Sequence, residues 1–345
     1  MKKICLILLI ALLSPAASAF AQGGASISKS GTAAATFLEI PVGAQAIGMG
    51  SAYVSLAKDA SALYWNVAGI AALPQSEILA DHTAWIADTK LDFAALVLPL
   101  GGFGTIGFSF TSLSMSDMKV RTVEMPEGTG EYFSAADMAL GVSYARQLTD
   151  RFGVGFTAKY IQQTIWHESA NAFAVDFGTT FKTDLFGGMT IGASLTNFGT
   201  SMTMSGIDTR MFGRVDPTKQ GSNDQIPQDI EMNSWDLPLM IQLGVSTVPL
   251  QSENYRWTVA VDALHPSDDY ESMNIGTEFA YENALFIRAG YQSLFLKDHE
   301  GGLCFGLGVT SALLFSENTV IAFDYAYRGM GRLEGVNVFS LSVRF

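Results

Sequence analysis

From residue 78 onward one pattern recurs: runs of about ten residues with an apolar side chain at every second position, separated by polar or Gly-rich breaks. The runs cover roughly 78–87, 89–99, 104–114, 134–147, 152–165, 172–183, 189–198, 238–248, 255–265, 270–280, 285–293, 301–312, 319–328 and 335–345, fourteen in all. In "FGVGFTAKY", Phe152, Val154, Phe156 and Tyr160 alternate with Gly153, Gly155, Thr157 and Lys159. In "AFAVDFGTTFKT", Phe173, Val175, Phe177 and Phe181 oppose Asp176, Gly178, Thr180 and Lys182. Successive side chains of a strand point to opposite faces, so each run has one oily face and one polar or small face. That length and alternation suit a strand that crosses a membrane.

Composition agrees. Charged residues make up 15% of the chain, against about 25% in ordinary soluble proteins. Beyond the N-terminus no run of about 18 apolar residues exists to form a transmembrane helix, so strands must do the crossing. The connections sort by length. Those after the even-numbered runs ("LGGFG", "LTDR", "DLFGG", "PLQSEN", "YENA", "LFSENT") are short, whereas 115–133 and 199–237 both fall in the other set. Short periplasmic turns and long extracellular loops mark an outer-membrane barrel, and a soluble sandwich has no reason to sort its loops this way. The reading is an all-β membrane protein: a 14-stranded antiparallel transmembrane β-barrel over 76–345.

The N-terminus is different. "MKKICLILLIALLSPAASAFAQ" has two lysines, an apolar run and small residues at Ala17, Ala19 and Ala21, which reads as a cleaved signal peptide over 1–21, cut after Ala19 or Ala21. Residues 22–75 do not alternate. They are rich in Ala and Gly, and "SAYVSLAKDASALYW" has helical spacing, so short helices and turns are expected from about Ala44 to Leu73, ended by Pro74. Without Lys2 and Lys3 the exported chain carries 18 basic against 33 acidic residues. Such an acidic protein is a poor partner for nucleic acid.

The segment "GAQAIGMGSAYVSLAKDASALYWNVAGIAAL", Gly43–Leu73, resembles the opening motif of the PorV/PorQ family, itself similar to FadL-type outer-membrane transporters. The matching positions include Gly48, Met49, Gly50, Tyr64, Trp65, Asn66, Ala68 and Gly69; Val67 stands where that family usually has Pro. Further matches lie at Val261–Phe279, Ile287–Tyr291, Gly306–Val309, Phe323–Tyr327 and the terminal "FSLSVRF". The resemblance implies a fourteen-stranded barrel with the N-terminal segment as a plug, or hatch, in its lumen. It also implies two functional readings. The first is a non-enzymatic partner of a type IX secretion translocon and of sorting-domain cargo, acting through long loops such as the Met-rich 200–240 region. The alternative is a FadL-like channel for hydrophobic small molecules such as long-chain fatty acids, with an apolar pocket behind the hatch and a lateral outlet. Either way the surroundings are outer-membrane lipid and lipopolysaccharide, and a hydrophobic ligand or detergent in the lumen fits the alternative.

Charges within the runs, Lys159, Asp176, Lys182, Asp262, Glu278, Arg288, Asp324 and Arg328, all fall on the face opposite the apolar row. A Lys or Arg facing lipid at mid-depth costs about 2–4 kcal/mol, so these are expected to face the lumen, pair with one another and hold the plug. Phe339, Leu341, Val343 and Phe345 form the apolar face of the last run and are expected to serve as a barrel-assembly signal, with the last strand closing on the first. No catalytic group, metal site or cofactor is expected. "GFGTIG" at 102–107 opens a strand where a phosphate cradle needs a helix. His82, His167, His265 and His299 are scattered, and His265 with Asp268 and Asp269 reads as a polar turn with no serine in a nucleophile-elbow setting.

Overall fold

The computed structural model describes residues 29, 31–185, 188–214, 218, 224–296, 301–311 and 319–345. The proposed signal peptide and residues 22–28 lie outside them. The chain forms a closed antiparallel barrel of fourteen strands: β1 (Glu77–Ala84), β2 (Lys90–Pro99), β3 (Thr105–Ser114), β4 (Ala135–Thr149), β5 (Phe152–Ile165), β6 (Glu168–Thr183), β7 (Met189–Gly199), β8 (Met240–Gln251), β9 (Tyr255–Pro266), β10 (Ser272–Tyr281), β11 (Leu285–Leu294), β12 (Leu303–Thr310), β13 (Val320–Met330) and β14 (Leu333–Arg344). Each strand pairs with its sequence neighbours, and β1 closes on β14 from Glu77↔Arg344 to Ala84↔Asn337. Closure satisfies every ladder, which hydrocarbon surroundings demand because they offer no water to a bare N–H or C=O. No helix among the described residues is long and apolar enough to cross a membrane.

The outer face carries the apolar row. Phe108, Phe110, Leu140, Val142, Phe156, Phe173, Phe177, Leu307, Phe323, Phe339 and Leu341 all stand exposed on it. Tyr144, Tyr255, Trp257 and Tyr281 gather outside near the short-turn rim, and Tyr160, Trp166 and Tyr327 toward the other rim, the usual place for aromatic girdles. Val343 and Phe345 share the outer face of β14, and the Phe345 backbone exchanges two hydrogen bonds with Ser76. At one rim the connections are short. In the β10–β11 turn Glu282 and Asn283 have φ of 52° and 50°, two consecutive left-handed residues as a tight hairpin turn requires. The opposite rim carries the long loops, including a small ladder of Arg210–Gly213 with Ile226–Asp229.

Three features depart from the sequence reading. β1 ends at Ala84, because Trp85–Thr89 turns back through a short 3-10 segment in which Ala87 is left-handed at φ 55°. β6 begins at Glu168, because Trp166 and His167 alone make the turn after β5. In β2 the alternation marks hydrophobicity on both faces: Leu91, Phe93, Ala95 and Val97 point inward and are buried. They do so because the lumen beside them is dry.

What dries it is the N-terminal segment. Residues 33–74 run inside the barrel as a 3-10 turn (Thr36–Glu39), two one-turn helices, α1 (Ala44–Gly48) and α2 (Ala62–Trp65), and a 3-10 turn (Val67–Ala72). Val42, Ala46, Tyr53, Leu63, Trp65 and Ile70 pack with Leu79, Leu91, Phe93 and Val97 of β1 and β2 in one hydrophobic core. Burying a side chain of this size contributes about 1.5–3 kcal/mol. Between the two helices the chain turns: Gly50 and Ser51 take φ of 63° and 61°, Tyr53 and Val54 donate to Asp262 of the wall, and Leu56 and Ala57 donate to the Tyr53 carbonyl.

Candidate functional site

The inserted segment meets the wall through glycines. Gly276 and Gly290, on the lumen face of β10 and β11, lie so close to the Met49–Gly50 backbone that a Cβ on either would collide with it. Gly192 of β7 sits under Val54, where a Cβ would stand 2.5 Å from the Val54 carbonyl oxygen. Gly155 of β5 meets Val67–Ala68 in the same way, and Gly306 of β12 meets Gly48 at 2.9 Å. A side chain at these positions would push the segment off the wall. Glycine in strands is otherwise costly, and close approach of another backbone is its usual reason. Gly155 and Gly192 lie near the short-turn ends of their strands, and Gly276, Gly290 and Gly306 near the middle of theirs.

Polar side chains complete the fit. Asp262 accepts the N–H groups of Tyr53 and Val54 at 2.7 and 2.9 Å. Ser340 accepts that of Ala44 at 2.7 Å, and Asn274 donates to the Ser51 carbonyl at 3.2 Å. Asn66 donates to Val54 within the segment at 2.9 Å and to Thr179 of β6 at 3.0 Å, tying one to the other. The segment is also braced internally. Tyr53 donates its hydroxyl to Asp59, and burial followed by that neighbouring charge drives its phenol well above the ordinary range. Trp65 donates to Val42 and Tyr64 to Leu38. These residues have no short polar sequence signature; only the recurrence of Gly on the polar face of successive runs foreshadowed the contact.

All eight charges named from the sequence lie on the lumen face. Lys159 pairs with Asp176 at 2.6 Å, and Arg288 bridges Glu278 at 2.8 Å and Asp324 at 2.5 Å. Asp262 serves the inserted backbone instead. Lys182 and Arg328 have no carboxylate partner among the described residues; Arg328 lies over the Trp85 ring at 5.5 Å. Near the short-turn rim Lys182 and Arg256 crowd Lys58 of the segment. Enclosure in the lumen first, and then those two cations, push the Lys58 ammonium below its usual value.

Toward the long loops the start of the segment is held differently. Its N–H groups make two bonds, Ala34 to the Asp236 carbonyl at 2.8 Å and Ala35 to Gln163 Oε1 at 2.9 Å, and Ala35, Phe37 and Leu38 pack on Ile161, Ala172, Met202 and Leu237 in a second hydrophobic core. Beneath them a cavity of ≈ 60 Å³ is lined by Leu38, Glu39, Pro41, Ser51, Tyr64, Trp65, Lys159, Thr196, Asn197, Met240, Gln242, Leu264, Asn274 and Gln292. It lies on the long-loop side of the hatch and is mixed in character, not the purely apolar pocket expected of a channel. Its wall includes the bulge between β6 and β7, where the register slips between Val175 and Phe177 and Asp176 accepts the Asn197 N–H at 2.8 Å. Among the described residues no group of three or more His, Cys, Asp or Glu forms a metal cluster.

The family model described as "Uncharacterised protein family (UPF0164)" matches residues 12–196, more than half the chain. The chain belongs to UPF0164. The UPF0164 match runs through the inserted segment and the first half of the barrel. No curated protein matches the chain. Solved structures that share its architecture include two hydrocarbon-channel proteins. The CymD monoaromatic hydrocarbon channel aligns with TM-score 0.56 and 12% identity over 88% of this chain and 97% of that one. The Pseudomonas putida toluene transporter TodX aligns with TM-score 0.53 and 14% identity over 88% and 97%. At such low identity these likenesses establish the fold, a FadL-like barrel. They do not extend to the PorV/PorQ assignment.

Proposed function

We propose that this UPF0164 member is an outer-membrane channel for hydrophobic small molecules, shut by its own N-terminal segment. The observation that carries the proposal is the uneven anchoring of that segment. Residues 42–74 are seated on the wall by glycines and buried hydrogen bonds, whereas 33–41 lie beside a cavity, held by two hydrogen bonds and by side-chain packing of Ala35, Phe37 and Leu38. A cavity of ≈ 60 Å³ is far below the roughly 300–1,000 Å³ of ordinary small-molecule sites, so the structure corresponds to a closed state. Lifting 33–41 would join the cavity to the long-loop mouth and expose Leu38, Tyr64, Trp65, Met240 and Leu264 to an incoming apolar ligand. The shared fold of CymD and the toluene transporter TodX supports this reading over the secretion-system one, which none of the comparisons supports. In this reading residues 1–21 are the signal peptide, the long loops face outward, the charges serve structure, and no enzymatic step is involved.

The test is uptake of a labelled aromatic hydrocarbon or fatty acid by cells carrying the protein with Ala35→Cys and Gln163→Cys joined by a short cleavable cross-linker. Uptake should stop on cross-linking and return on cleavage. Uptake equal to that of cells without the protein in both states would overturn the channel reading. One observation favours a partner-binding role: Met211, Phe212, Ile230 and Trp235 are exposed on the longest loop. Loss of a co-purifying secretion translocon when that loop is shortened, with uptake absent throughout, would move the assignment there.

A further inference from the structure

The lipid-facing wall is not evenly covered. Within five residues of the short-turn ends of their strands, Phe108 of β3, Phe156 of β5, Phe323 of β13 and Leu341 of β14 stand out from the barrel. At that depth on β10 and β11 the outer face carries Thr277 and Ala289, directly paired in the ladder. These two short side chains form the floor of a groove of ≈ 310 Å³, and Leu250, Tyr255, Trp257, Phe279 and Ile287 stand around it. Its volume falls at the low end of the roughly 300–1,000 Å³ of ordinary ligand sites. Strand β8 shapes one side, because a register shift between Thr247 and Leu250 places Leu250 opposite Trp257. Tyr255 and Phe279 stack with ring centroids 6.2 Å apart. Trp257 Nε1 donates to Thr277 Oγ1 at 2.6 Å, and that hydroxyl donates to the Thr258 carbonyl at 3.2 Å. The polar atoms of these two side chains are therefore satisfied within the wall, and the groove offers its occupant an apolar surface.

The groove is a seat on the wall and not a passage through it. Gly276 and Gly290, the neighbours of Thr277 and Ala289 in sequence, meet the Met49–Gly50 backbone on the lumen side. The β9–β10 and β10–β11 ladders run unbroken past them, from Ile275 to Tyr281. On the outside the groove is continuous with the lipid-facing surface, and a hollow left empty there forfeits the dispersion contacts that acyl chains supply to the rest of the wall. A slender flexible chain can follow such a hollow, whereas the convex wall of a second barrel would bridge it. Charge selects the headgroup. The two turns at this end place Glu253 and Glu282 at the rim, both exposed, and the Glu282 N–H donates to the Asn254 carbonyl at 2.7 Å, which ties the turns together. The cations of β8 to β11, Arg256 and Arg288, pair with the lumen-facing Glu278. An anionic headgroup is repelled by such a rim and an ammonium is attracted. We infer that β9, β10 and β11 hold an acyl chain of one ammonium-bearing, zwitterionic phospholipid of the phosphatidylethanolamine class, drawn from the leaflet at the short turns. The inference does not depend on what the barrel carries.

The test uses full-length protein reconstituted in vesicles of equal phosphatidylethanolamine and phosphatidylglycerol, then extracted in mild detergent for native mass spectrometry. The protein should retain one phospholipid. Phosphatidylethanolamine should be preferred about fivefold, equivalent to about 1 kcal/mol, the upper size of an exposed charge contact. Ala289→Phe, which fills the floor of the groove, should lose the retained lipid, and Leu341→Phe on β14 should keep it. Glu253→Gln combined with Glu282→Gln should keep a lipid but lose the preference. In the same vesicles a dibrominated phosphatidylethanolamine should quench Trp257, read as the difference from Trp257→Phe, and this quenching should fall in Ala289→Phe. Heat-modifiable migration identifies which variants have folded, and all comparisons are made on folded protein. Absence of a retained phospholipid in the wild-type chain, equal retention by Ala289→Phe, or equal retention of the two lipids would overturn the site, as would an unchanged preference in the double variant. A dimer that Ala289→Phe separates would give the groove to a second copy of the chain and overturn it equally.

Discussion

The two halves of the lumen hold the same segment by opposite means. From the short turns to mid-depth, wall and segment meet backbone to backbone across glycines, with hydrogen bonds of 2.7–3.2 Å between them. Near the long loops, Phe37 and Leu38 meet Ile161, Met202 and Leu237 side chain to side chain, buried oxygens lack partners and a cavity opens beside them. Contacts of the first kind have no slack, because a protein interior at crystal-like density transmits any added atom as strain. Contacts of the second kind can be remade at little cost. The difference separates a seal from a door.

The largest effect should come from the seal. Gly276→Val or Gly290→Val should abolish the folded, heat-modifiable barrel, because the new side chain meets the Met49–Gly50 backbone and not a flexible side-chain end. Gly102→Ala, with nothing within 4 Å of its Cβ, should fold normally. Folded Gly276→Val with a protease-resistant segment would end the distinction between the two halves. Next comes Arg288→Met, which strands Asp324 and leaves Glu278 only Arg256 at 3.3 Å; breaking a buried ion pair by removing one member costs about 3–5 kcal/mol, readable by urea unfolding in lipid. The triple change Glu278→Gln, Arg288→Met, Asp324→Asn should restore part of that loss. Asp262→Ala leaves the N–H groups of Tyr53 and Val54 unpaired, at about 1–3 kcal/mol per buried donor.

Smaller effects belong to the door. Gln163→Leu removes the acceptor of the Ala35 N–H, a loss of about 1 kcal/mol, and should speed protease cleavage within 33–41 without changing the barrel's unfolding midpoint. The same cleavage should depend on pH. Glu39 is raised from 4.5 to about 8 by burial and then by Asp268, so the folded mouth favours its protonated form. Anchoring is therefore complete below about pH 4.5 and declines as pH climbs toward 8. The groups facing it are Asp268, Asp269 and Tyr64. Glu39→Gln should flatten the profile; an unchanged profile would remove Glu39 from the account. Smallest of all, Arg151→Ala breaks an exposed pair with Asp184 and should shift stability by less than about 1 kcal/mol.

The barrel was legible because lipid imposes a rule on each residue separately. A strand between oil and lumen must alternate, so β5, β6 and β14 could be read one residue at a time, and Lys159 and Asp176 fell on the inner face by the same logic. The inserted segment obeys no such local rule. Ser51–Ala60 has helical spacing, yet the N–H groups of Tyr53 and Val54 are taken by Asp262, a residue some two hundred positions away. The inward row Leu91, Phe93 and Val97 had no visible cause until the segment stood against it. Glu39 and Asp268 carry no mutual signal in sequence, since only the closed barrel brings a loop onto the start of the chain.

The glycine contacts bear on how such a molecule is made. The segment precedes every strand in sequence but touches β5, β7, β10, β11 and β12, and its Ala44 bonds to Ser340 across 296 positions. Contacts that far apart form late, because the chain between them must be ordered first. A lumen narrowed to backbone width cannot be threaded after the wall has closed. The segment must lie in place while the strands gather round it, as a mandrel lies inside a winding, and the last seam, β1 to β14, then locks in a part that was present from the first turn.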